Sequence, residues 1–126
     1  MANAMEITDA TFEAEVVQSD KPVLVDFWAP WCAPCRTVGV VLDQLSGERD
    51  DLKVVKINID DNQDQALKHS VLVLPTVVLY KDGEPVGKLQ GGVPPTAIAR
   101  LLQEHLPAAA PAAEAEPALA TDEAPS

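Results

Sequence analysis

The sequence predicts an α/β fold in which a mixed central sheet carries helices on both faces. Three observations lead there. Along residues 1–106 the apolar positions alternate between a strand period of about two and a helix period of about 3.6, in the order β-α-β-α-β-α-β-β-α. The run Val23-Leu24-Val25-Asp26-Phe27-Trp28 is apolar on both faces apart from Asp26, as an inner strand covered from either side must be. Asp82-Gly83 separates two short strand-like runs, the residue pair of a two-residue hairpin turn. Strands joined through helices are expected to run parallel, with the hairpin adding an antiparallel edge.

Each element has its own justification. A weak strand around residues 6–8 opens the chain. Thr8 or Asp9 can cap a first helix whose Phe12 and Val16 share a face, and Pro22 stops that helix before the inner strand. Behind Cys32, Val38, Val41, Leu42 and Leu45 recur at helical spacing, and Ser46-Gly47 is expected to end the helix. Residues 53–60 read as a second inner strand, with Val55, Ile57 and Ile59 on one face and Lys56 and Asn58 on the other. Residues 61–69 form a short helix or turn. Residues 75–80 make a strand, paired through Asp82-Gly83 with residues 86–90. After Gly91-Gly92, Pro95 starts a last helix with Ile98, Leu101 and Leu102 inward.

Composition narrows the function. The 126 residues fit one domain, and 47% hydrophobic content is enough for a core. Nine Lys and Arg stand against 20 Asp and Glu, a formal charge of −11, and no basic cluster is present. A nucleic-acid partner is therefore not expected. Two Cys and two His make a closed zinc site only if all four converge, so no metal is assigned. No run approaches the ~18 apolar residues of a membrane-spanning helix. The first residues lack the basic end and apolar core of a secretory signal, which points to the reducing cytoplasm. There a close Cys pair does redox or metal work more often than stapling. At Pro107 the composition changes: residues 107–126 hold nine Ala, four Pro and four acidic residues, with no basic residue. This reads as a mobile acidic tail, either solubilising or docking, with a short helix over 112–116 as the alternative. His69 and His105 have no ligand constellation around them and are expected at the surface.

The chemistry concentrates around Trp31-Cys32-Ala33-Pro34-Cys35, where an inner strand gives way to a helix. Two intervening residues put the sulfurs one helical turn apart, close enough to form and release a disulfide. At the first turn of the helix, unpaired N–H groups and the dipole favour a negative sulfur on Cys32, so its pKa should fall below about 8.5. Pro34 suits the first turn because it has no N–H to satisfy. Cys35 lies deeper and is the less reactive thiol. Half of a zinc site and an inert buried pair are the alternatives.

Asp26 interrupts an apolar inner strand, and burial should raise its pKa. Such an acid beside a dithiol can take the proton from Cys35 and return it. Lys56 on the neighbouring strand would moderate the shift, and a purely structural Asp26–Lys56 ion pair is the alternative. Trp28 serves either the core or the site. In Leu74-Pro75-Thr76, a proline at a strand's start suggests a cis bond or an exposed backbone edge.

Taken together, residues 27–36, Lys56-Ile57-Asn58-Ile59-Asp60, Leu74-Pro75-Thr76 and Asp82-Gly83 resemble the thioredoxin family in order and spacing, over roughly residues 5–106. The resemblance implies a thioredoxin fold, a cis bond before Pro75, and thiol–disulfide exchange with protein substrates. Cys32 would attack the substrate disulfide, Cys35 would resolve the mixed disulfide, and Asp26 would be the buried acid and base. Lys56, Pro34 and Trp28 would support them. Trp31, Ala33, Leu74, Pro75 and Gly91 would line a shallow groove around Cys32, where a substrate strand bonds to the Leu74 backbone. It further implies no bound cofactor, with electrons coming from NADPH through a flavin-dependent thioredoxin reductase. Four positions depart from the usual pattern: Ala33 for Gly, Arg36 for Lys, Val40 for Pro and Leu72 for Arg.

Three functions are compatible with this reading: a general cytoplasmic disulfide reductase, monomeric by default; a dedicated electron donor to few partners; and a non-catalytic module that borrows the fold. Deleting residues 107–126 should leave the melting temperature within about 2 °C of the full chain; a fall of many degrees in a thermal melt would show that the segment belongs to the domain.

Overall fold

Val23–Trp28 (β2) lies at the centre of a five-stranded sheet of order β1-β3-β2-β4-β5 in the computed structural model, which describes residues 4–106. The expected tail, residues 107–126, lies outside the described residues. The remaining strands are Met5–Ile7 (β1), Lys53–Asn58 (β3), Thr76–Lys81 (β4) and Glu84–Gln90 (β5). The helices are Ala33–Glu48 (α1), Gln63–Lys68 (α2) and Pro95–His105 (α3), and a five-residue π-helical turn spans Glu13–Val17.

The pleat of β2 divides the core in two. Leu24 faces Val38 and Leu42 of α1, Val54 of β3, Val77 and Leu79 of β4, and Ile98 and Leu102 of α3. Val23, Val25 and Phe27 face the other way, against Phe12 and Val16, Val55 and Ile57, and Val78 and Tyr80. Helices thus cover both faces, which is why β2 is apolar along nearly its whole length. Gly87 of β5 is where Leu101 of α3 comes closest: a Cβ there would collide with the Leu101 side chain.

Strand direction differs from the expectation at β4. β1, β3 and β2 are mutually parallel, but β4 runs antiparallel to β2, so β4 is the strand that runs against the others and two pairings, β2–β4 and β4–β5, are antiparallel rather than the hairpin alone. Register gives the reason. β3 ends with Asn58 opposite Trp28, and β4 begins with Thr76 opposite Phe27, at the same end of β2. The six residues of α2 do not carry the chain back along the sheet, so it re-enters where it left. The hairpin itself is as expected, with φ 56° at Asp82 and 82° at Gly83, both in the left-handed region that such turns require.

Two helix boundaries also differ. The expected first helix is only the π-helical turn, without a side-chain cap at Phe12. Thr8 and Thr11 close a small reciprocal turn before it, the Thr8 N–H donating to Thr11 Oγ1 at 2.9 Å. Asp9 is committed elsewhere: its carboxylate accepts the backbone N–H of Asp64 at 3.2 Å and of Gln65 at 3.0 Å, capping α2 from a distant part of the chain. α1 runs through Ser46-Gly47 to Glu48, because a glycine ends a helix where it turns left-handed and Gly47 does not. The helix closes instead on Arg49, whose N–H reaches the Leu45 carbonyl at 3.0 Å.

Replacing Asp9 by Ala should therefore destabilise the domain by about 1 kcal/mol through α2, with Asp9→Asn losing less. Chemical denaturation checks this, and equal stability of Asp9→Ala and the parent would remove the cap from the account.

Candidate active site

The chain leaves β2 at Trp28, turns through residues 29–32 and enters α1. Cys32 is the N-cap of that helix, with extended backbone, and its sulfur accepts the Cys35 N–H at 3.2 Å. The Cys32 N–H is in turn held by the Ala29 carbonyl at 3.1 Å. Pro34 stands in the first turn, where a missing N–H costs nothing. Cys32 and Cys35 are joined as a disulfide with Cα atoms 5.4 Å apart. Among the described residues no cluster of His, Cys, Asp and Glu could hold a metal ion, and no helix is long and apolar enough to cross a membrane.

Both cysteines are almost covered, 5% exposed for Cys32 and 3% for Cys35, so area alone does not distinguish them. Position does. Cys32 lines a surface groove of about 450 Å³ together with Trp31, Ala33, Pro34, Ile59, Val71, Leu72 and Leu74, whereas Cys35 does not. Both sulfur-bearing residues share a buried cluster with Ala29, against which Trp28 lies, so access to the groove is what distinguishes Cys32. The groove is rimmed by Trp31 and Leu72, which are 68% and 88% exposed. The Trp31 indole donates to Asp60 Oδ1 at 3.2 Å, which fixes the ring at the groove's edge.

Of the residues assigned to the groove from the sequence, Trp31, Ala33 and Leu74 line it, and Pro75 and Gly91 do not. The Leu74–Pro75 bond is cis, Pro75 is buried, and its carbonyl accepts the Gly91 N–H at 2.8 Å. Gly91 has φ 83°, a conformation that favours glycine. Arg36 turns back to the Pro30 carbonyl at 3.3 Å.

Asp26 lies beneath α1, on the same face of β2 as Leu24 and Trp28, and is 3% exposed. Its Oδ1 is buried with no hydrogen-bond partner. Burial is the main reason its pKa is pushed up to about 7; Lys56 opposes that, and Asp43 and Glu6 add to it. Lys56 stands opposite Asp26 in the β2–β3 register. The alternative of a structural ion pair is not what forms: the closed ion pairs among the described residues are Arg49–Asp51 and Lys53–Glu15.

Sequence reasoning missed several contributors. Ile59 and Val71 complete the groove, and Asp60 anchors Trp31. His69 is not at the surface as expected. It is half-buried, Nδ1 against the Gln65 carbonyl at 2.8 Å and Nε2 against the Tyr80 hydroxyl, with Phe12 and Phe27 packed on the ring. Burial holds its pKa below the ordinary value. The signal was Tyr80, a tyrosine in an apolar strand whose hydroxyl needs a partner. His105 is also half-buried, and its carbonyl accepts Lys81 Nζ at 3.1 Å. A larger cleft, about 690 Å³, lies at the opposite end of the sheet between Met5, Lys21 and Arg49. It contains neither a cysteine nor a buried acid.

Two sulfurs that close into a disulfide across one helical turn, one of them capping the helix and open to a groove, are built for thiol–disulfide exchange, the chemistry of the thiol–disulfide oxidoreductases. The sequence comparisons agree. The family model described as Thioredoxin matches residues 3–104. Thioredoxin 1 of Synechococcus elongatus is 47% identical over 107 residues, covering 84% of this chain and all of the relative. The thioredoxin of Haemophilus influenzae is 43% identical over the same shares, and that of Mycobacterium bovis 43% identical over 82% of this chain and 90% of its own length. The chain belongs to the thioredoxin family.

The raised Asp26 pKa makes a stability prediction with a definite sign. The folded protein binds this proton more tightly than the unfolded chain, whose Asp titrates near 3.8, so ionisation costs stability increasingly from about pH 4 and fully above pH 7. Oxidised Asp26→Asn should therefore gain on the parent by about 2–3 kcal/mol between pH 5 and pH 8. Denaturation at the two pH values measures this, and a constant gap would mean that Asp26 does not titrate there.

Proposed function

We propose that this chain is a general disulfide reductase acting on proteins, in which Cys32 is the nucleophile, Cys35 the resolving thiol and Asp26 the acid and base. The observation that carries the assignment is that the groove runs past Cys32 and not Cys35. In the reduced protein the Cys32 thiolate, favoured at the start of α1, attacks one sulfur of a substrate disulfide. The other substrate sulfur leaves as a thiolate and the mixed disulfide forms. Cys35 then gives its proton to the Asp26 carboxylate and attacks the Cys32 sulfur. The second substrate thiolate leaves, the Cys32–Cys35 disulfide closes, and two electrons have passed to the substrate. A carboxyl titrating near neutral pH is suited to holding a proton in one step and returning it in another.

Trp31, Ala33 and Leu74 receive the substrate segment beside the disulfide, together with Pro75, next in the chain to Leu74, and Gly91, hydrogen-bonded to Pro75. Pro34 and Trp28 support the sulfurs, and Lys56 moderates Asp26. No cofactor is bound during exchange. The oxidised pair is returned to the dithiol by a flavin-dependent thioredoxin reductase drawing on NADPH, and the chain works as a cytoplasmic monomer. Residues 107–126 serve as a solubilising acidic appendage to the domain 1–106.

A second reading, a donor dedicated to few partners, is favoured by Leu72, whose 88% exposure gives the groove an apolar rim. Insulin reduction with a thioredoxin reductase and NADPH distinguishes the two, since a general reductase turns over while a specialist does so poorly. In the same assay Cys32→Ser should abolish exchange, and Cys35→Ser should accumulate mixed disulfides visible by mass spectrometry. Equal loss without trapping would refute the division of roles.

A further inference from the structure

The row that crosses the sheet at Asp26 continues to its edge. Glu6 of β1 stands opposite Lys56 of β3, and Lys56 opposite Asp26 of β2. Trp28 comes two residues after Asp26 and so projects from the same face. The contacts in this row are unevenly distributed. Glu6 Oε2 accepts the Trp28 indole N–H at 3.3 Å. Lys56 Nζ lies 5.7 Å from the centre of the Trp28 ring, within cation–π reach. Asp26 Oδ1, one strand away from that ammonium, has no partner.

Adjacent strands are about 4.8 Å apart, and a lysine stem spans that distance easily, so reach does not explain the open pair. The ring provides the explanation: it offers the ammonium a competing seat, and a carboxylate outside the core fixes the ring's polar edge. We infer that Glu6 is a positioning residue for Asp26: by pinning the Trp28 indole it keeps the Lys56 ammonium on the ring face and prevents it from closing an ion pair with the buried carboxylate. This rests on the reading of Asp26 as the acid and base. A closed pair would hold Asp26 ionised and weaken it as a proton donor, whereas the open arrangement lets burial dominate. The charged groups acting on Asp26 are Lys56 from β3, Glu6 from β1 and Asp43 from α1, while β4 places Val77 opposite it.

Two substitutions at this exposed position separate the hydrogen bond from the charge. Glu6→Gln keeps an acceptor for the indole and loses the charge; Glu6→Ala loses both. The measurement is the titration of the Asp26 carboxyl by NMR in the oxidised full-length chain, with the Trp28 indole N–H signal tracked alongside. Glu6→Gln should lower the Asp26 midpoint by less than about half a pH unit, the effect of an exposed charge. Glu6→Ala should lower it by about one pH unit or more as Lys56 closes on Asp26, and the indole signal should move. In a Lys56→Met background the two substitutions should give the same midpoint. Equal midpoints in the presence of Lys56 would overturn the inference, leaving Glu6 only a distant charge. The pH profile of the resolving step tests the underlying reading separately. If the Asp26 midpoint moves as expected while the rate profile stays, Asp26 is not the acid and base, yet Glu6 still positions the cation.

Discussion

The sulfur of Cys32 accepting the Cys35 N–H is the interaction on which the rest of this structure depends. It makes the Cys32 sulfur the cap of a helix, so the orphan donors at the start of α1 are directed at the atom proposed to carry negative charge during exchange. It also sets the spacing to the second sulfur, because the donor belongs to the residue that carries it. Everything around the cap holds it in place. β2 delivers the chain to the turn, and α1 is seated on the sheet by Val38 and Leu42 so that its first turn overhangs the carboxyl end of the central strand. Asp26 lies under the same helix.

The site combines two environments a few residues apart. On the outside, Cys32 faces an apolar groove whose walls come from the loop before α1 and the segment before β4. On the inside, Cys35 packs with Ala29 and Cys32 itself, Trp28 lies against them, and Cys35 does not line the groove. Exchange chemistry needs this division more than it needs exposure. In the proposed division of roles, a Cys32 at 5% exposure is still reachable by a substrate that lies in the groove, and Cys35 is kept for the resolving step. A buried carboxyl beneath the helix completes the set, and its cation is displaced onto an aromatic face rather than paired.

Most of the fold was legible because each element carries a local signal. Val23–Trp28 reads as an inner strand from composition alone, Asp82-Gly83 as a turn from its two residues, and α3 from Pro95 and the spacing of Ile98, Leu101 and Leu102. Cys32, Cys35 and Asp26 stood out because each residue type is unusual where it lies. The features that escaped the sequence are those that depend on distant partners. The direction of β4 is set by how far six residues of α2 carry the chain, which periodicity does not report. Asp9 looks like a cap for the helical turn just after it and instead caps a helix more than fifty residues away. His69 and Tyr80 find each other only once α2 lies on the sheet, and Glu6 acquires a role only when β1 aligns it with Lys56.

The central claim is that the helix start separates two otherwise similar thiols. Alkylation of the reduced protein across a pH series, with the modified residue identified at each pH, tests this most directly. Cys32 should react first and titrate clearly below the free-thiol value of about 8.5, with Cys35 protected over the same range. Two thiols that react together and titrate alike near 8.5 would contradict the account and leave the cap as a feature of shape alone.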